Sequence, residues 1–386
     1  MRICLDLRFK TESGASSYIR NLVPHLLRLD RSNTYVGIKY REQSFPFEDQ
    51  LERVVICPGR TDVAHMLWTL AVLPWVLLRL RVDLYHGLKM PGPLWNPVRT
   101  VGTIHSEIRN KNAKFPHNLG SVLHGHLYAG PMMGLCDQWI AVSKFVADAV
   151  GGAYKVDRSR ISIVPNAADE RFQVLPEAGT LGAVKRFGIE RSYLLGVGNV
   201  FPVKNQLTSV RAFARIAKKH PVDLVFAGAL VHGYAEKVGH EIAELGLQDR
   251  VRFLGFVEPA DLVVLMNGAK ALLLPSLTEG CPITLIEALA CGLPSLTSAC
   301  GGLPEVGGTA ALYVTDPMDD AGFANQIERI LSDPALARDL AGRGIERAKS
   351  FSWEMTAKGH LDVYYRTLGL PRPSYVGDAP SPRALA

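Results

Sequence analysis

The sequence predicts an α/β protein made of two units, each a doubly wound parallel sheet, and three observations lead to this fold class. The chain has 386 residues, which is long enough for two domains that each bury their own core. Short apolar runs alternate with amphipathic stretches of helical period along both halves. No internal repeat of solenoid period is visible, so the halves are similar only as two βα units.

The composition excludes several classes of protein. The six cysteines include no C-x-x-C pair, so neither a zinc site nor a disulfide framework is indicated, and a reducing cytoplasm fits them best. The N-terminal stretch MRICLDLRF is a charged, strand-like start rather than a signal peptide, and we do not expect secretion. Nothing in the chain resembles a nucleic-acid-binding module, so no nucleic-acid partner is expected.

The basic residues are unevenly distributed along the chain. Residues 1–150 hold 18 Lys and Arg against 12 Asp and Glu, whereas the remainder holds 25 of each. Such an excess could attract anionic lipid headgroups or a pyrophosphate-linked acceptor, although a mild excess like this is more often an ordinary solvated surface.

The first half alternates strands with helices. Gly14 precedes the first predicted helix, where a glycine lets the backbone come close to a ligand. His105 follows a predicted strand, so it either hydrogen-bonds a substrate at the carboxyl edge of the sheet or is a satisfied core histidine. The predicted strands are 2–7, 35–40, 53–57, 83–86, 100–104, 138–143 and 161–164, and the predicted helices are 15–29, 66–80 and one that begins at Lys144.

The most apolar stretch of the chain is residues 66–80, MLWTLAVLPWVLLRL. It is too short to span a bilayer and contains Pro74. The sequence leaves two interpretations open: a buried helix, or an amphipathic helix that lies in a membrane surface with Arg79 and Arg81 at its edge.

The second half is the clearer doubly wound unit. Lys204 lies in the loop GNVFPVKNQ between a strand and a helix, where it either neutralises a diphosphate or is an ordinary surface lysine. The tail from residue 371 is rich in proline, and we expect it to be disordered. The predicted strands are 193–197, 222–227, 251–254, 271–275 and 311–314, and the predicted helices are 206–219, 234–245, 321–331, 334–349 and 351–368.

The stretch KALLLPSLTEGCPITLIEALACGLPSLTSACGGLPEV, residues 270–306, carries the strongest chemical signal. A buried strand is followed by a polar turn and then by a helix over 282–291, with Pro282 at the first helical position and Gly292 after the end. Glu287 lies among apolar residues, so we expect it to be buried and to need a partner. Glu279 precedes the helix, at the carboxyl end of the strand, which is where open α/β sheets bind ligands.

This arrangement suits a nucleotide sugar. Backbone N–H groups of Gly280, Ile283 and Thr284 would be available to a phosphate at the helix start, and the carboxylates would bind sugar hydroxyls. The alternative from these residues alone is that Glu279 loosely caps the helix and Glu287 forms a core ion pair.

The pattern of Glu279, seven residues and Glu287, preceded by PSLTEG and followed by EALACGLPSLTSACGGLPEV, resembles the E-x7-E signature of the family 4 retaining glycosyltransferases. That family has the GT-B fold. The resemblance covers about residues 1 to 368 and implies two Rossmann-like domains that face a cleft, with a C-terminal helix that crosses back to the first domain. The implied bounds are 1–172 for the acceptor domain, 173–352 for the nucleotide-sugar domain, 353–370 for the crossing helix and 371–386 for the tail, with the link between domains at 170–180.

The resemblance also implies roles for particular residues. Glu287 would bind the ribose hydroxyls, Glu279 the sugar hydroxyls, and Lys204 the leaving diphosphate. His105 would orient the donor sugar or the acceptor. The implied catalytic residues are His105, Lys204 and Glu279, and the implied donor-binding residues are Gly14, Asn199, Lys204, Glu279, Gly280, Cys281, Pro282, Ile283, Thr284 and Glu287.

The chain departs from the family pattern at three positions. The pair His105-Ser106 keeps the family histidine without its aspartate, and Ala167 replaces a glycine in a turn close to the family's VIPNGVD. Asn199 stands where an arginine is often found, which leaves the phosphate clamp one charge short unless Arg20 or another cation is recruited. No Asp-x-Asp motif is present at the site, so we expect neither a metal nor another cofactor.

The function implied is retaining transfer of a hexose from a nucleotide sugar by front-face displacement. The loop VGN-x-x-P-x-KN is similar to that of some bacterial mannosyltransferases, which makes GDP-mannose the first expectation for the donor. A saccharide or polyprenyl-linked acceptor is expected, in cell-surface polysaccharide or glycolipid synthesis, in the cytoplasm or peripherally at the inner membrane face. Two alternatives stay open, a GT-B nucleotide-sugar epimerase and a non-catalytic GT-B scaffold subunit.

Overall fold

The computed structural model describes residues 1–9, 14–59, 61–89, 92–106, 130–176, 182–372 and 375. They form two compact units, one made of Met1–Asn166 with Trp353–Ala386 and the other of Ala167–Ser352. The division falls after Asn166, six residues before the bound at residue 172 that the resemblance implied. The predicted tail and link lie partly outside the described residues, at 373–374, 376–386 and 177–181.

The first unit is built on a seven-stranded sheet in the order β3-β2-β1-β4-β5-β6-β7. Its strands are β1 Arg2–Asp6, β2 Thr34–Tyr40, β3 Arg53–Cys57, β4 Leu84–Gly87, β5 Arg99–Ile104, β6 Gln138–Ala141 and β7 Ile161–Ile163. Its helices are α1 Gly14–Leu29, α2 Asp62–Leu67, α3 Leu73–Arg79, α4 Gly130–Leu135, α5 Lys144–Tyr154 and α13 Trp353–Thr367, and a π-helical turn, Trp68–Val72, joins α2 to α3. The C-terminal helix α13 therefore belongs to the first unit, as predicted.

The second unit is built on a six-stranded sheet in the order β10-β9-β8-β11-β12-β13. Its strands are β8 Ser192–Val197, β9 Val222–Ala227, β10 Val251–Phe253, β11 Ala271–Leu274, β12 Ser295–Ser298 and β13 Ala311–Val314. Its helices are α6 Gln206–Ile216, α7 Tyr234–Glu244, α8 Pro259–Gly268, α9 Ile283–Ala290, α10 Leu303–Gly307, α11 Asp320–Ser332 and α12 Pro334–Ala348.

The strand pairs of both sheets are parallel, which confirms the predicted fold class. A parallel sheet with helices on both faces buries its strands, so the strands read as continuous apolar runs, and all four residues of β11 are buried. In each sheet the strand order reverses next to the first strand of the unit, between β1 and β4 and between β8 and β11. Ligands of doubly wound folds bind at the carboxyl ends of the strands at that reversal.

Helix α9 differs from the prediction at its start and agrees with it at its end. Pro282 is the N-cap, with ψ 101°, rather than the first helical residue, so the helix begins at Ile283. At the other end, Gly292 has φ 66° and Leu293 N–H donates to the carbonyl of Ala288. This left-handed glycine cap explains why the helix stops where the sequence predicted.

Among the helices in the described part of the chain, none is both long enough and apolar enough to cross a membrane.

Candidate functional site

The second sheet brings a lysine and a glutamate together at its reversal point. Strands β8 and β11 are neighbours, with Ala271 opposite Leu194, so the loops that follow their carboxyl ends meet. Lys204 lies in the first loop and Glu279 in the second, and Lys204 Nζ is 2.6 Å from Glu279 Oε1. Their side chains are 24% and 15% exposed, so the pair is accessible from solvent.

The position of Lys204 is fixed by its neighbour Asn205. The buried Asn205 has a left-handed backbone, φ 55°, and begins α6. Its Nδ2 donates to the carbonyls of Pro275, at 3.0 Å, and Pro317, at 2.6 Å, while its Oδ1 accepts from Thr208 Oγ1 at 3.0 Å. One amide side chain thereby joins the loops that follow β8, β11 and β13.

Glycines make room for the lysine. Gly198 has φ +124°, and a Cβ there would lie 3.1 Å from Lys204 Cε. Gly228, which follows β9, lies so close to the same loop that a Cβ would be 2.1 Å from the carbonyl oxygen of Gly198. Any larger residue at 228 would displace the loop that carries Lys204.

Glu279 is held from both sides. Ser276 Oγ donates to Glu279 Oε1 at 2.7 Å, and Ser298 Oγ, from β12, donates to the Ser276 carbonyl. The N–H of Gly302 donates to the Glu279 carbonyl at 2.8 Å. The alternative that Glu279 caps the helix is wrong, because α9 has no side-chain cap and the carboxylate contacts Lys204 instead.

The start of α9 offers unused hydrogen-bond donors. The N–H groups of Gly280, Ile283 and Thr284 form no hydrogen bond to any described residue. A Cβ at Gly302 would lie 1.9 Å from the Gly280 carbonyl oxygen, so glycine is required for the following loop to pack there. These N–H groups and the Lys204 ammonium together suit an anion such as a phosphate.

Glu287 lies in α9, partly buried, without the partner that we expected. Within the described residues its carboxylate forms neither a hydrogen bond nor an ion pair. Its pKa is raised to about 8, mainly by burial and also by the charge of Asp169, while the charge of Arg171 acts in the opposite direction. The group is therefore mostly protonated at pH 7. Protonation, and not an ion pair, is what avoids a buried charge here. The alternative of a core ion pair is not supported by the described contacts.

The other residues considered for donor binding in the second unit, and Arg20 in the first, are buried or hydrogen-bonded within the protein. Asn199 is exposed, and its side-chain oxygen accepts from the N–H of Ala229 at 3.2 Å, which links the loops after β8 and β9. Cys281 and Pro282 are buried. Arg20 belongs to the first unit, where it donates to the Ser44 carbonyl and lies over two phenylalanine rings.

His105 follows β5 at the corresponding edge of the first sheet. Its Nε2 is 2.7 Å from the carbonyl oxygen of Leu88, which follows β4, and its ring contacts the ring edge of Tyr18. A carbonyl oxygen only accepts, so Nε2 carries the proton and Nδ1 is an acceptor. Burial lowers the pKa of His105 to about 4, so the imidazole is neutral. Gly14 begins α1, and a Cβ there would meet no atom within 4 Å.

The residues that support the pair were missed in the sequence. Ser276 and Asn205 lie one to three residues from predicted site residues, and Gly301 and Gly302 lie in the predicted stretch. Asn205 could have been recognised as a polar residue directly before a helix. No group of three His, Cys, Asp or Glu side chains in the described parts of the chain has a metal-binding arrangement.

Two family models match the chain and together cover most of it. The model described as Glycosyltransferase Family 4 matches residues 13–172, and the model described as Glycosyl transferases group 1 matches residues 184–347.

Curated relatives match over part of their length. A D-inositol 3-phosphate glycosyltransferase of Salinispora arenicola is 30% identical over an alignment of 278 positions, which covers 64% of this chain and 62% of the relative. The O-antigen chain mannosyltransferase B of Escherichia coli is 27% identical over an alignment of 229 positions, which covers 58% of this chain and 59% of the relative. The chain thus spans less than two thirds of the length of these relatives.

A solved structure shares the fold. The crystal structure of HepE from Anabaena in complex with UDP-glucose superimposes with a TM-score of 0.76 at 17% identity, covering 96% of this chain and 100% of HepE. At this identity the likeness supports the GT-B architecture of two doubly wound sheets.

Proposed function

The chain belongs to glycosyltransferase family 4, and from this premise we propose that it transfers a hexose from a nucleotide sugar to a saccharide or lipid-linked acceptor, with retention at the anomeric carbon. The observation that carries the proposal is the Lys204–Glu279 pair beside the unused N–H groups at the start of α9. A cation and free N–H groups suit a diphosphate, and a carboxylate next to them suits sugar hydroxyls.

Donor binding exchanges one anion for another at Lys204. In the structure the ammonium is neutralised by Glu279. A diphosphate that reaches the N–H groups of Ile283 and Thr284 takes over Lys204 and leaves Glu279 able to accept hydrogen bonds from the transferred sugar. Glu287, which is mostly protonated, both donates to and accepts from the ribose hydroxyls.

The proposed reaction is a front-face displacement. The bond between the anomeric carbon and the diphosphate breaks, the acceptor oxygen bonds to the same face of that carbon, and the acceptor proton passes to the departing phosphate oxygen. Lys204 and the α9 N–H groups stabilise the charge that develops on the leaving group. We assign His105 to hydrogen bonding with the sugar or acceptor through Nδ1, and Gly14 to close approach of the diphosphate. The proposal requires no divalent metal.

We propose mannose from GDP-mannose as the donor substrate, in synthesis of a cell-surface polysaccharide or glycolipid. The similarity to the Escherichia coli O-antigen chain mannosyltransferase supports this choice of sugar. The UDP-glucose complex of HepE supports a nucleotide sugar as the ligand class. The scattered cysteines favour a reducing compartment, so we place the reaction in the cytoplasm or at the inner membrane face.

A thermal-shift panel of GDP-, UDP-, ADP- and TDP-sugars tests the proposal. A ligand that binds only the folded state stabilises it by about 2.7 kcal/mol at a hundredfold excess over its Kd, so the correct donor raises the melting temperature. We expect GDP-mannose to give the largest shift, and Glu287→Ala to abolish that shift.

Two further measurements separate the alternatives. Incubation of the best donor without acceptor is expected to leave the sugar configuration unchanged, whereas an epimerase would isomerise it. A transferase is expected to hydrolyse that donor slowly. A non-catalytic scaffold would hydrolyse none of it. The proposal fails if no nucleotide sugar shifts the melting temperature, or if Glu287→Ala keeps the full shift.

A further inference from the structure

Large apolar side chains are exposed along one face of the helical segment formed by α2, the π turn and α3. Leu67 is 57% exposed, Trp75 is 65% exposed and Leu78 is 43% exposed. These positions follow one another at helical spacing, so they form a stripe along the segment. The opposite face, with Leu73 and Leu77, is buried in the core of the first unit.

A second exposed indole extends the stripe. Trp95, in the segment between β4 and β5, is 52% exposed, and its ring centroid lies 5.6 Å from that of Trp75 in an edge-to-face contact. The apolar surface, called the aromatic patch from here on, consists of Leu67, Val72, Trp75, Leu78, Leu94 and Trp95.

Positive charge adjoins the aromatic patch. Arg79 ends α3 and Arg81 follows it, and both are exposed. Among the described residues neither side chain has an ion-pair partner. The sequence from 63 to 82 contains no Asp or Glu. The patch is therefore bordered by arginines over a stretch without carboxylates.

We propose that the aromatic patch docks the first unit on an anionic lipid bilayer, with Trp75 and Trp95 at the boundary between headgroups and acyl chains. Tryptophan is enriched at that boundary because its ring is apolar and its N–H is polar. Arg79 and Arg81 contact anionic headgroups while their stems stay on apolar surface.

The geometry favours a bilayer over a protein partner. A helix that lies flat on an anionic bilayer needs a row of apolar side chains with basic groups beside it. This segment provides both. A protein partner would instead have to bury two adjacent indoles in pockets. The inference concerns a surface separate from Lys204 and Glu279, so its failure would leave the proposed reaction unaffected.

Vesicle flotation tests the proposal with the full chain. We expect the protein to float with vesicles of phosphatidylcholine and phosphatidylglycerol, weakly with phosphatidylcholine alone, and less as salt screens the arginines. Trp75→Ser/Trp95→Ser should lower partitioning at least tenfold, and Arg79→Gln/Arg81→Gln should remove the preference for anionic vesicles. Leu245→Ser and Arg338→Gln change exposed residues of the second unit, and they should float like wild type.

Fluorescence gives a second readout from the native chain. Trp68, Trp139 and Trp353 are buried, so Trp75 and Trp95 account for the exposed indole fluorescence. Brominated lipid should quench the wild type and should not quench Trp75→Ser/Trp95→Ser. The proposal is overturned if the wild type does not bind anionic vesicles, or if the double tryptophan variant binds them equally. It is also overturned if the double variant converts a dimer into a monomer, because a second copy would then cover the patch.

Discussion

In both units the loop that follows the first strand of the sheet carries a cation, and the two cations differ in their exposure to solvent. In the first unit Arg8 follows β1 and its side chain is 0% exposed, whereas in the second unit Lys204 follows β8 and its side chain is 24% exposed. Each cation has a carboxylate partner, Asp6 for Arg8 and Glu279 for Lys204. The same topology thus yields one structural pair and one pair that a ligand can reach.

The Arg8 guanidinium is enclosed by protein groups and has no contact with solvent. Arg8 donates twice to Asp6 and once to Thr69 Oγ1, and it lies 4.9 Å from the ring centre of Trp68. Burial alone would raise the pKa of Asp6, but the charge of Arg8 and its hydrogen bonds outweigh burial and keep that pKa below its usual range. Strand order therefore determines where a site can form, and the side chains determine whether it does.

The largest expected effect comes from breaking the buried pair. Arg8→Met leaves Asp6 as an unpaired buried charge, so we expect the first unit to lose about 3–5 kcal/mol of stability in urea unfolding. Asp6→Asn/Arg8→Met should recover most of the loss. If Arg8→Met kept wild-type stability but bound the donor more weakly, Arg8 would belong to the binding site. That result would contradict the contrast between a structural pair and a ligand-binding pair.

Breaking the exposed Lys204–Glu279 pair should change the rate of transfer and leave stability almost unchanged. Lys204→Ala removes the cation that stabilises the leaving diphosphate, so transfer should slow by roughly 10²–10³-fold with little change in melting temperature without ligand. Lys218→Ala, an exposed lysine of the same unit, is the matched control. Wild-type turnover in Lys204→Ala would refute the assigned role.

The raised pKa of Glu287 should make stability depend on pH. Its pKa is about 8 in the folded chain and near 4.5 when unfolded, so above about pH 5 the unfolded chain binds fewer protons and stability falls as pH rises toward 8. Glu287→Gln removes this loss. We expect its melting temperature, without ligand, to exceed that of wild type by roughly 3 °C or more at pH 8 and to match it near pH 5. Parallel curves for the two proteins would show that Glu287 is ionised in the folded chain.

His105 should contribute without titrating in the working range. Because burial lowers its pKa to about 4, the ring is neutral above about pH 5. His105→Gln should reduce kcat roughly tenfold or more while leaving the shape of the pH profile between 5.5 and 7.5 unchanged. A step near pH 6.5 that is present in wild type and absent in the variant would show that the histidine titrates there.

The smallest expected effect is that of a chelator. If Lys204 and the α9 N–H groups supply the charge stabilisation, EDTA should leave the transfer rate within error of the untreated protein. A strict requirement for an added divalent cation would mean that the leaving group is stabilised by a metal.

Most strands and helices could be predicted because apolar period and length identify them. Strand β12 was missed, because its sequence SLTS does not read as apolar although every residue is buried. Its serine hydroxyls donate to backbone carbonyls: Ser295 Oγ to that of Leu293 and Ser298 Oγ to that of Ser276, in the loop after β11. Helix α8 was missed because its apolar residues do not leave a clear polar face.

The site was predictable in its location and less so in its contacts. Loops that follow neighbouring parallel strands meet at the carboxyl edge of the sheet. This predicted that Lys204 and Glu279 share one edge, although they are 75 residues apart in sequence. Their direct contact depends on the left-handed backbone of Asn205 and on the hydroxyl of Ser276, neither of which periodicity reveals. The raised pKa of Glu287 likewise depends first on its burial and then on the charge of Asp169, more than a hundred residues earlier.

Asn205 has a consequence for how the loops at the carboxyl edge of the second sheet are held together. Its carboxamide joins the carbonyls of Pro275 and Pro317 while its own backbone sets the start of α6. The loops that follow β8, β11 and β13 are therefore connected through one carboxamide. A substitution that removes this amide would release all three loops at once, although it changes a single residue.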